Sequence, residues 1–447
     1  MGKIFGTDGA RGVANTELTC ELAMRIGRAA AKVLTDAEKH PKIIIGKDTR
    51  ISSDMLESAL AAGVCSVGAD VVSLGVVPTP AVAYLVSKYE ADAGVMISAS
   101  HNSFEFNGIK IFSSTGNKLP DDVEAKIEEL ILNDEGITDG FAFEKIGRVS
   151  ICETAAEDYI NHVIKSTDVT FEGMEIAFDC SNGSSSKTAQ SVFEKLGVKC
   201  HMLFDKPDGI NINNGCGSTH IEKLREYVLE NKLAAGFAFD GDADRCLAID
   251  ENGELVDGDM VLAICALDMK ERGVLKGDTI VGTIMSNLGL VKFCEKNGFN
   301  FVATNVGDRY VLEEMIKNGY NIGGEQSGHV IFKDFASTGD GEVTAVSVLS
   351  VMKRTGKALS QLASQMEKYP QVMINVKVSA DGKARFFTDE KVQEALENAK
   401  KALGNDGRLL VRPSGTEPLL RVMTEGKNYD EIKKIAQDVA DVLKERL

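Results

Sequence analysis

No stretch of this 447-residue chain approaches the ~20 consecutive apolar residues that a membrane span needs. The opening Met-Gly-Lys-Ile-Phe-Gly-Thr-Asp likewise has no apolar segment of the kind a secretory signal carries. The chain is expected to stay where it is made, in the cytoplasm. Proline is scarce, 8 residues against 43 glycines, which points to tight turns rather than long stiff linkers. None of the 9 cysteines forms a C-x-x-C pair; they run from Cys20 to Cys294, mostly in apolar settings such as Leu262-Ala263-Ile264-Cys265-Ala266, and read as reduced core residues. Cys246 reads as inert, because the acidic cluster just before it raises a thiol pKa. Positive charge is in deficit: 50 Lys and Arg against 67 Asp and Glu leave a net charge of −17, a field that repels phosphate backbones and anionic lipid. Neither nucleic acid nor membrane is expected as a partner.

What is present suits a globular enzyme. With 43% hydrophobic and 26% charged residues the chain can build full cores, and its length suggests several domains. Strand-like runs, aligned by the segments that succeed them, show a threefold repeat. Lys42 to Asp48, Glu175 to Ser181 and Thr279 to Thr283 are β-branched or aromatic runs ending in polar residues or Gly. Each is followed by a helix-period segment and a second strand, at Asp70 to Leu74, Val198 to Leu203 and Phe299 to Thr304, the order of a βαβ unit. A third strand in each copy runs into an unusual loop: Ser98-Ala-Ser100-His101-Asn102, Asp240-Gly-Asp242-Ala-Asp244-Arg245 and Gly324-Glu325-Gln326-Ser327-Gly328-His329. Ligands of open α/β sheets bind outside the carboxyl ends of strands, so three such loops suit one shared cleft. The expected fold class is α/β: three tandem repeated α/β domains with mixed sheets, over 1–150, 151–252 and 253–368, plus a smaller C-terminal βαββα domain over 371–447, arranged around a central cleft. Tyr369-Pro370 reads as the linker to that last domain, whose closing helix carries Tyr429, Ile432, Ile435, Ala436, Val439, Val442 and Leu443 on one stripe.

The loops differ in chemistry. Asp240, Asp242 and Asp244 alternate after an apolar strand, and in extended geometry they project to one side, where repulsion calls for a cation; hard oxygen donors suit Mg²⁺. An EF-hand is excluded because Arg245 stands where its sharp turn needs Gly and because both flanks look like strands; a solvated acidic turn is the other reading. Ser100 beside His101 is a candidate nucleophile or a Ser/Asn-rich turn, with Lys110 near enough to screen phosphate charge or, if its pKa is depressed, to exchange protons. Arg412-Pro-Ser414-Gly415-Thr416-Glu-Pro joins a guanidinium, two hydroxyls and a Gly that lets backbone N–H groups curl around an anion. Arg421 adds a second guanidinium or is a surface residue. Glu325, Gln326 and Ser327 suit sugar hydroxyls, and His329 is either a proton-transfer group or a buried structural residue.

Taken together and in order, Phe5-Gly-Thr-Asp-Gly-Ala-Arg11-Gly, the Ser100 loop, the Asp240 loop, Gly324 to His329 and Arg412 to Pro418 resemble the α-D-phosphohexomutase superfamily over essentially the whole chain. The opening motif and Gly-Glu-Gln-Ser-Gly-His resemble the bacterial branch acting on glucosamine phosphates. The resemblance implies Ser100 carried as phosphoserine, and one Mg²⁺ held by Asp240, Asp242, Asp244 and the Ser100 phosphate. Arg11 and Arg245 would steady the transferring group, and Lys110, His101 and His329 would handle protons. Glu325 and Ser327 would bind the sugar, while Arg412, Ser414, Gly415, Thr416 and Arg421 would hold the non-reacting phosphate. Interconversion of glucosamine 6-phosphate and glucosamine 1-phosphate through glucosamine 1,6-bisphosphate is the implied reaction, feeding UDP-N-acetylglucosamine synthesis, and a homodimer is the family's habit. The alternatives are a mannose or glucose phosphomutase of the same superfamily and, in another class, a Mg²⁺-dependent sugar phosphatase using one of the aspartates. Thr304 to Arg309 matches a further family loop. Two positions depart from the pattern: Ser103 stands where Pro is usual and Phe106 where Asp commonly precedes Asn-Gly-Ile-Lys, which bears on loop rigidity and local charge.

Overall fold

Three times along the chain a short β-branched run makes a buried strand flanked by two others, as the repeat predicts. The computed structural model describes residues 4–6, 8–35, 41–133, 143–414 and 418–447. In the first sheet Lys42–Lys47 lies between Asp70–Val76 and Ala93–Ile97, parallel to both. In the second, Glu175–Asp179 lies between Lys199–Leu203 and Ala235–Phe239; in the third, Thr279–Thr283 lies between Asn300–Thr304 and Ile322–Gly324. A fourth strand then returns antiparallel beside the third, at Phe106–Ser113, Cys246–Asp250 and Val330–Phe332. The sheets are mixed, and the connection from third to fourth strand is one structural position repeated. The loops 98–105, 240–245 and 325–329 all occupy it.

Ala10–Val13, legible in the sequence only as part of a motif, adds an antiparallel edge that sets Arg11 opposite Gly108. Alternation explains the packing: in the first sheet Ile43, Ile45, Val95 and Ile97 meet Ala23 and Ile26 of helix Cys20–Leu34 and Leu56 and Leu60 of helix Ser53–Ser66. In the second, Phe178 stacks on Phe193 with ring centres 4.0 Å apart. All nine cysteines are free, and the Cys246 thiol is pushed well up by burial and then by Asp340, Asp240 and Glu342.

The chain divides into two compact units, Met1–Met285 with Phe299–Gln365 and Ser286–Gly298 with Met366–Leu447. The second unit holds a three-stranded antiparallel sheet in which Leu419–Gly426 lies between Gln371–Lys377 and Gly407–Pro413, covered by helices Glu390–Leu403 and Tyr429–Arg446. This is the expected βαββα order with one addition, the six-residue helix Ala380–Arg385, too short for periodicity to announce. The closing helix buries Ile432, Ala436, Val439, Ala440 and Leu443, while Tyr429 in its first turn is exposed. Tyr369 is no free linker: its N–H and C=O both engage the Asn287 side-chain amide at 3.0 Å, tying it to helix Leu288–Asn297 inside the same unit.

Candidate active site

Strand Ala93–Ile97 is buried along its length and delivers Ser100 onto a turn in which that residue takes φ +53°, a left-handed conformation unusual for a residue with a side chain. Its Oγ donates to Asp240 Oδ2 at 2.6 Å. His101 Nδ1 lies 3.4 Å from the same Oγ and 3.3 Å from Arg245 Nη1. Burial, followed by the charges of Arg245 and Arg11, holds the His101 pKa below its usual value, which favours the neutral imidazole.

Asp240, Asp242 and Asp244 each offer an oxygen within 4.8 Å of the others, and all three are buried. Their convergence comes from a turn rather than from extended alternation: Ala243 N–H donates to the Asp240 carbonyl at 3.0 Å and Ala243 takes φ +55°. Burial and then the charges of Asp244 and Asp242 push Asp240 well above the carboxylate range. Burial opposes ionisation of Asp244 too, but Lys110 and His329 outweigh it and hold that group well below. Lys110 Nζ is 2.7 Å from Asp242 Oδ2, 3.5 Å from Asp244 Oδ2 and 3.6 Å from Asp8 Oδ2. Against a burial penalty, Asp242 and Asp8 raise its pKa rather than depress it, so in this arrangement Lys110 is a fixed cation. Thr79 braces the cluster, its hydroxyl on Asp242 Oδ2 at 2.6 Å. The donor set fits a hard divalent cation: three carboxylates converge, and among the described residues Oδ1 of both Asp242 and Asp244 is buried without a hydrogen-bond partner, Asp244 Oδ1 lying 3.9 Å from Arg245 Nε.

Glu325 and Ser327 are accessible on the third loop, half-buried and exposed respectively. Glu325 Oε1 accepts the Gly307 N–H at 3.2 Å, which joins this loop to the segment Thr304 to Arg309. The Gln326 amide turns to Asp257 Oδ2 at 3.2 Å, where Asp257 caps helix Gly258–Glu271. His329 is buried, with Nδ1 3.7 Å from Asp244 Oδ2 and Nε2 3.4 Å from Asp308 Oδ2. Burial works against its charge, but Asp244 and Asp308 raise its pKa overall.

Several residues with no assigned role in the sequence complete this region. Asp8 pairs with Arg11 and, at 2.7 Å, with Lys118; Lys118 reaches Asp308 at 2.6 Å. A line of alternating charge thus runs from Arg11 to His329. Asp8 sits in the opening motif and Asp308 in the Thr304 to Arg309 loop, but nothing local marks Lys118. Gly339 N–H donates to His329 Nε2 at 2.9 Å, and a Cβ at Gly339 would lie 2.6 Å from that nitrogen and from the Asp244 carbonyl oxygen, so only glycine fits. Among the described residues Arg11 Nε and Arg245 Nε are buried donors without a hydrogen-bond partner, suited to an anion's oxygens. The structure therefore gathers Ser100, His101, Lys110, Arg245, the three aspartates and His329 into one place, with Arg11 joined through Asp8.

In the second unit Arg412 and Arg421 face each other across adjacent antiparallel strands. Residues directly opposite share a face of the sheet, so two like charges are set side by side. Burial and then Arg421 lower the Arg412 pKa. Ser414 N–H bonds the Leu419 carbonyl at 2.9 Å, closing the turn between the strands. Gly415 and Thr416 lie outside the described residues.

Comparison with known proteins identifies the family. Four models of the phosphoglucomutase/phosphomannomutase family match in order: alpha/beta/alpha domain I at residues 2–137, domain II at 157–253, domain III at 257–369 and the C-terminal domain at 373–442. A phosphoglucosamine mutase of Clostridium novyi is 52% identical over 100% of this chain and 99% of its own, and one of Clostridium beijerinckii is 53% identical over 100% of both. Among solved structures, a phosphoglucomutase/phosphomannomutase family protein of Burkholderia thailandensis superposes with TM-score 0.84 at 23% identity, covering 99% of this chain and 97% of the other. The N-acetylphosphoglucosamine mutase of Aspergillus fumigatus, solved with GlcNAc-6P and magnesium, superposes with TM-score 0.70 at 16% identity, over 99% and 95%. With all four domain models matched and identity above half over its full length, the chain belongs to the phosphoglucomutase/phosphomannomutase family.

Proposed function

We propose that this chain is an isomerase that interconverts glucosamine 6-phosphate and glucosamine 1-phosphate by carrying a phosphoryl group on Ser100. The observation that carries the reading is Ser100 Oγ at 2.6 Å from Asp240, one of three buried carboxylates, and 3.4 Å from His101, which Arg245 contacts in turn. The amino sugar is favoured by the phosphoglucosamine mutases of two clostridia, at 52% and 53% identity over the whole chain. Asp240, Asp242 and Asp244, together with the serine phosphate, would hold Mg²⁺, which supplies charge stabilisation to a transferring phosphoryl group.

The chain's own residues supply the rest. The Ser100 Oγ–P bond breaks as the bond from phosphorus to sugar O1 forms; the O1 proton passes to a neighbouring base, a role that suits His101 with its lowered pKa, and Ser100 Oγ takes up a proton, for which His329 with its raised pKa is the candidate donor. Lys110, Arg11 and Arg245 meet the negative charge on the phosphoryl oxygens, and such positioned charge supplies most of the acceleration in phosphoryl transfer. Glu325 and Ser327 accept and donate to sugar hydroxyls. Arg412, Ser414, Gly415, Thr416 and Arg421 hold the phosphate that is not reacting. The 1,6-bisphosphate then turns, returns its 6-phosphoryl group to Ser100 and leaves as glucosamine 1-phosphate, for use in UDP-N-acetylglucosamine synthesis. One phosphate grip serves both orientations.

Exposure to the sugar bisphosphate should leave one phosphate on the peptide containing Ser100, read by mass spectrometry, and Ser100→Ala should lower kcat at least about 10,000-fold. Activity retained in Ser100→Ala would instead mark an aspartate-nucleophile phosphatase. A higher kcat/KM on mannose or glucose phosphate than on glucosamine phosphate would overturn the sugar assignment.

A further inference from the structure

The left-handed backbone at Ser100 needs something to hold it, since a residue with a Cβ does not rest there unaided. The loop's own N–H groups are used locally: Ser100 N–H goes to Ser98 Oγ at 3.0 Å and Asn102 N–H to the Ala99 carbonyl at 3.1 Å. Its carbonyl oxygens are gripped from outside. Arg50 Nη2 donates to the Ser100 carbonyl at 2.9 Å and to the Asn102 carbonyl at 2.8 Å, and Arg50 Nη1 donates to the Ser103 carbonyl. From the second α/β domain, Asn213 Nδ2 donates to the same Ser100 and Asn102 carbonyls, at 2.8 and 2.9 Å. A third loop converges there as well, because a Cβ on Gly241 would lie 2.6 Å from the Ser100 carbonyl oxygen.

Arg50 is itself fixed. Its side chain and that of Asp48 are 0% exposed, and Arg50 Nε donates to Asp48 Oδ2 at 2.8 Å. Asp48 also accepts from the Arg50 N–H, the Ser53 hydroxyl and the Ser98 hydroxyl, at 3.0, 2.9 and 2.6 Å. A planar guanidinium held by one carboxylate and forked onto three carbonyls of one loop is a rigid template that a flexible ammonium cannot copy. Ser103, which has no proline ring to restrict its φ, contributes one of the gripped carbonyls.

We propose that Arg50 and Asn213 are positioning residues that clamp the Ser100 loop by its carbonyl oxygens, holding Ser100 left-handed with Oγ on Asp240 through each phosphoryl transfer. Neither side chain touches Oγ. The proposal rests on Ser100 as the phosphoryl carrier, and the clamp adds to that reading a reason why the loop stays put when Ser100 gains and loses a doubly charged group. A loop released by even a fraction of an ångström would lose rate without losing affinity for the sugar.

The test compares the parent with Asn213→Gly and Arg50→Lys. Asn213 takes φ +57°, which glycine tolerates, so Asn213→Gly removes the amide without straining the backbone. Arg50→Lys keeps a cation on Asp48 but loses the fork. Radiolabelled phosphoserine enzyme should transfer to glucosamine 6-phosphate at least about tenfold more slowly in both variants. KM should stay within about twofold of the parent. The phosphoserine resonance in phosphorus NMR, recorded in chelator, should shift or broaden while the circular dichroism stays as in the parent. An unmoved resonance and an unchanged transfer rate in Asn213→Gly overturn the clamp, whatever Arg50→Lys does. A parent enzyme with no phosphate on Ser100 overturns the carrier assignment instead, so the two failures are told apart.

Discussion

Around Ser100 the buried charges come in opposed sets: Lys110 among Asp8, Asp242 and Asp244, and Lys118 between Asp8 and Asp308. On the strands Gly407–Pro413 and Leu419–Gly426, by contrast, Arg412 and Arg421 set two like charges face to face. In the first arrangement each cation is held by carboxylates on more than one side, which fixes its position, while the surplus of carboxylates still suits a divalent cation. In the second, Arg421 lowers the Arg412 pKa, and a phosphate dianion between the two guanidiniums would offset that repulsion, in keeping with the binding role proposed for them.

Breaking the balance on the first side should have the largest effect. Lys110→Met leaves three carboxylates facing one another, and removing one partner of a buried ion set costs about 3 kcal/mol or more. Melting in chelator should fall accordingly, and added Mg²⁺ should recover part of the loss. An unchanged melting temperature in chelator would break the contrast drawn between the two regions. On the second side the effect should be on binding: Arg412→Ala or Arg421→Ala should raise KM for the sugar phosphate about 10- to 100-fold. Stability should change by less than it does in Lys110→Met. A fall in melting temperature with unaltered KM would show that the pair is structural.

A smaller effect sharpens the comparison with a third case, a buried carboxylate that has neither metal-site neighbours nor a cation at hydrogen-bond distance. Burial pushes Asp179 from 3.8 to about 7, outweighing N–H bonds from Gly217 and Ser181. Between those values the unfolded chain has released a proton that the folded chain keeps. Its contribution to stability is therefore full below the lower value, declines as pH rises through the window and levels off above about 7. The urea midpoint should differ between about pH 5 and about pH 8 less in Asp179→Asn than in the parent. An equal difference in both would assign the pH dependence to other groups.

Much of this was legible in the linear chain because it is local. The runs at Ile43 to Ile45, Ile176 to Phe178 and Ile280 to Val281 mark strands by β-branching and apolarity, and the Asp240, Ser100 and Arg412 loops carry their chemistry within a few residues. The illegible remainder depends on encounters across the fold. Lys118 is an ordinary charged residue until the third domain brings Asp308 to it. Asp48 reads as the end of a strand-like run and Arg50 carries no reading, and the grip of Arg50 on residues 100–103 exists only because the strands that lead to the two loops are neighbours in the sheet. The sense of the Lys110 shift was open as well, because burial and three carboxylates act on it in opposite directions and only distances weigh them.

By itself the sequence determined the repeated α/β plan, the family and the identity of the loops that carry serine, aspartate and guanidinium, since each is written in short-range pattern. Tertiary structure alone decided which way Ser100 points, which oxygens of Asp242 and Asp244 are left for a cation, and which distant side chains hold them. Those outcomes are set by separations of a few ångströms between residues more than a hundred positions apart, and hydrogen bonding and Coulomb energy vary steeply over such distances.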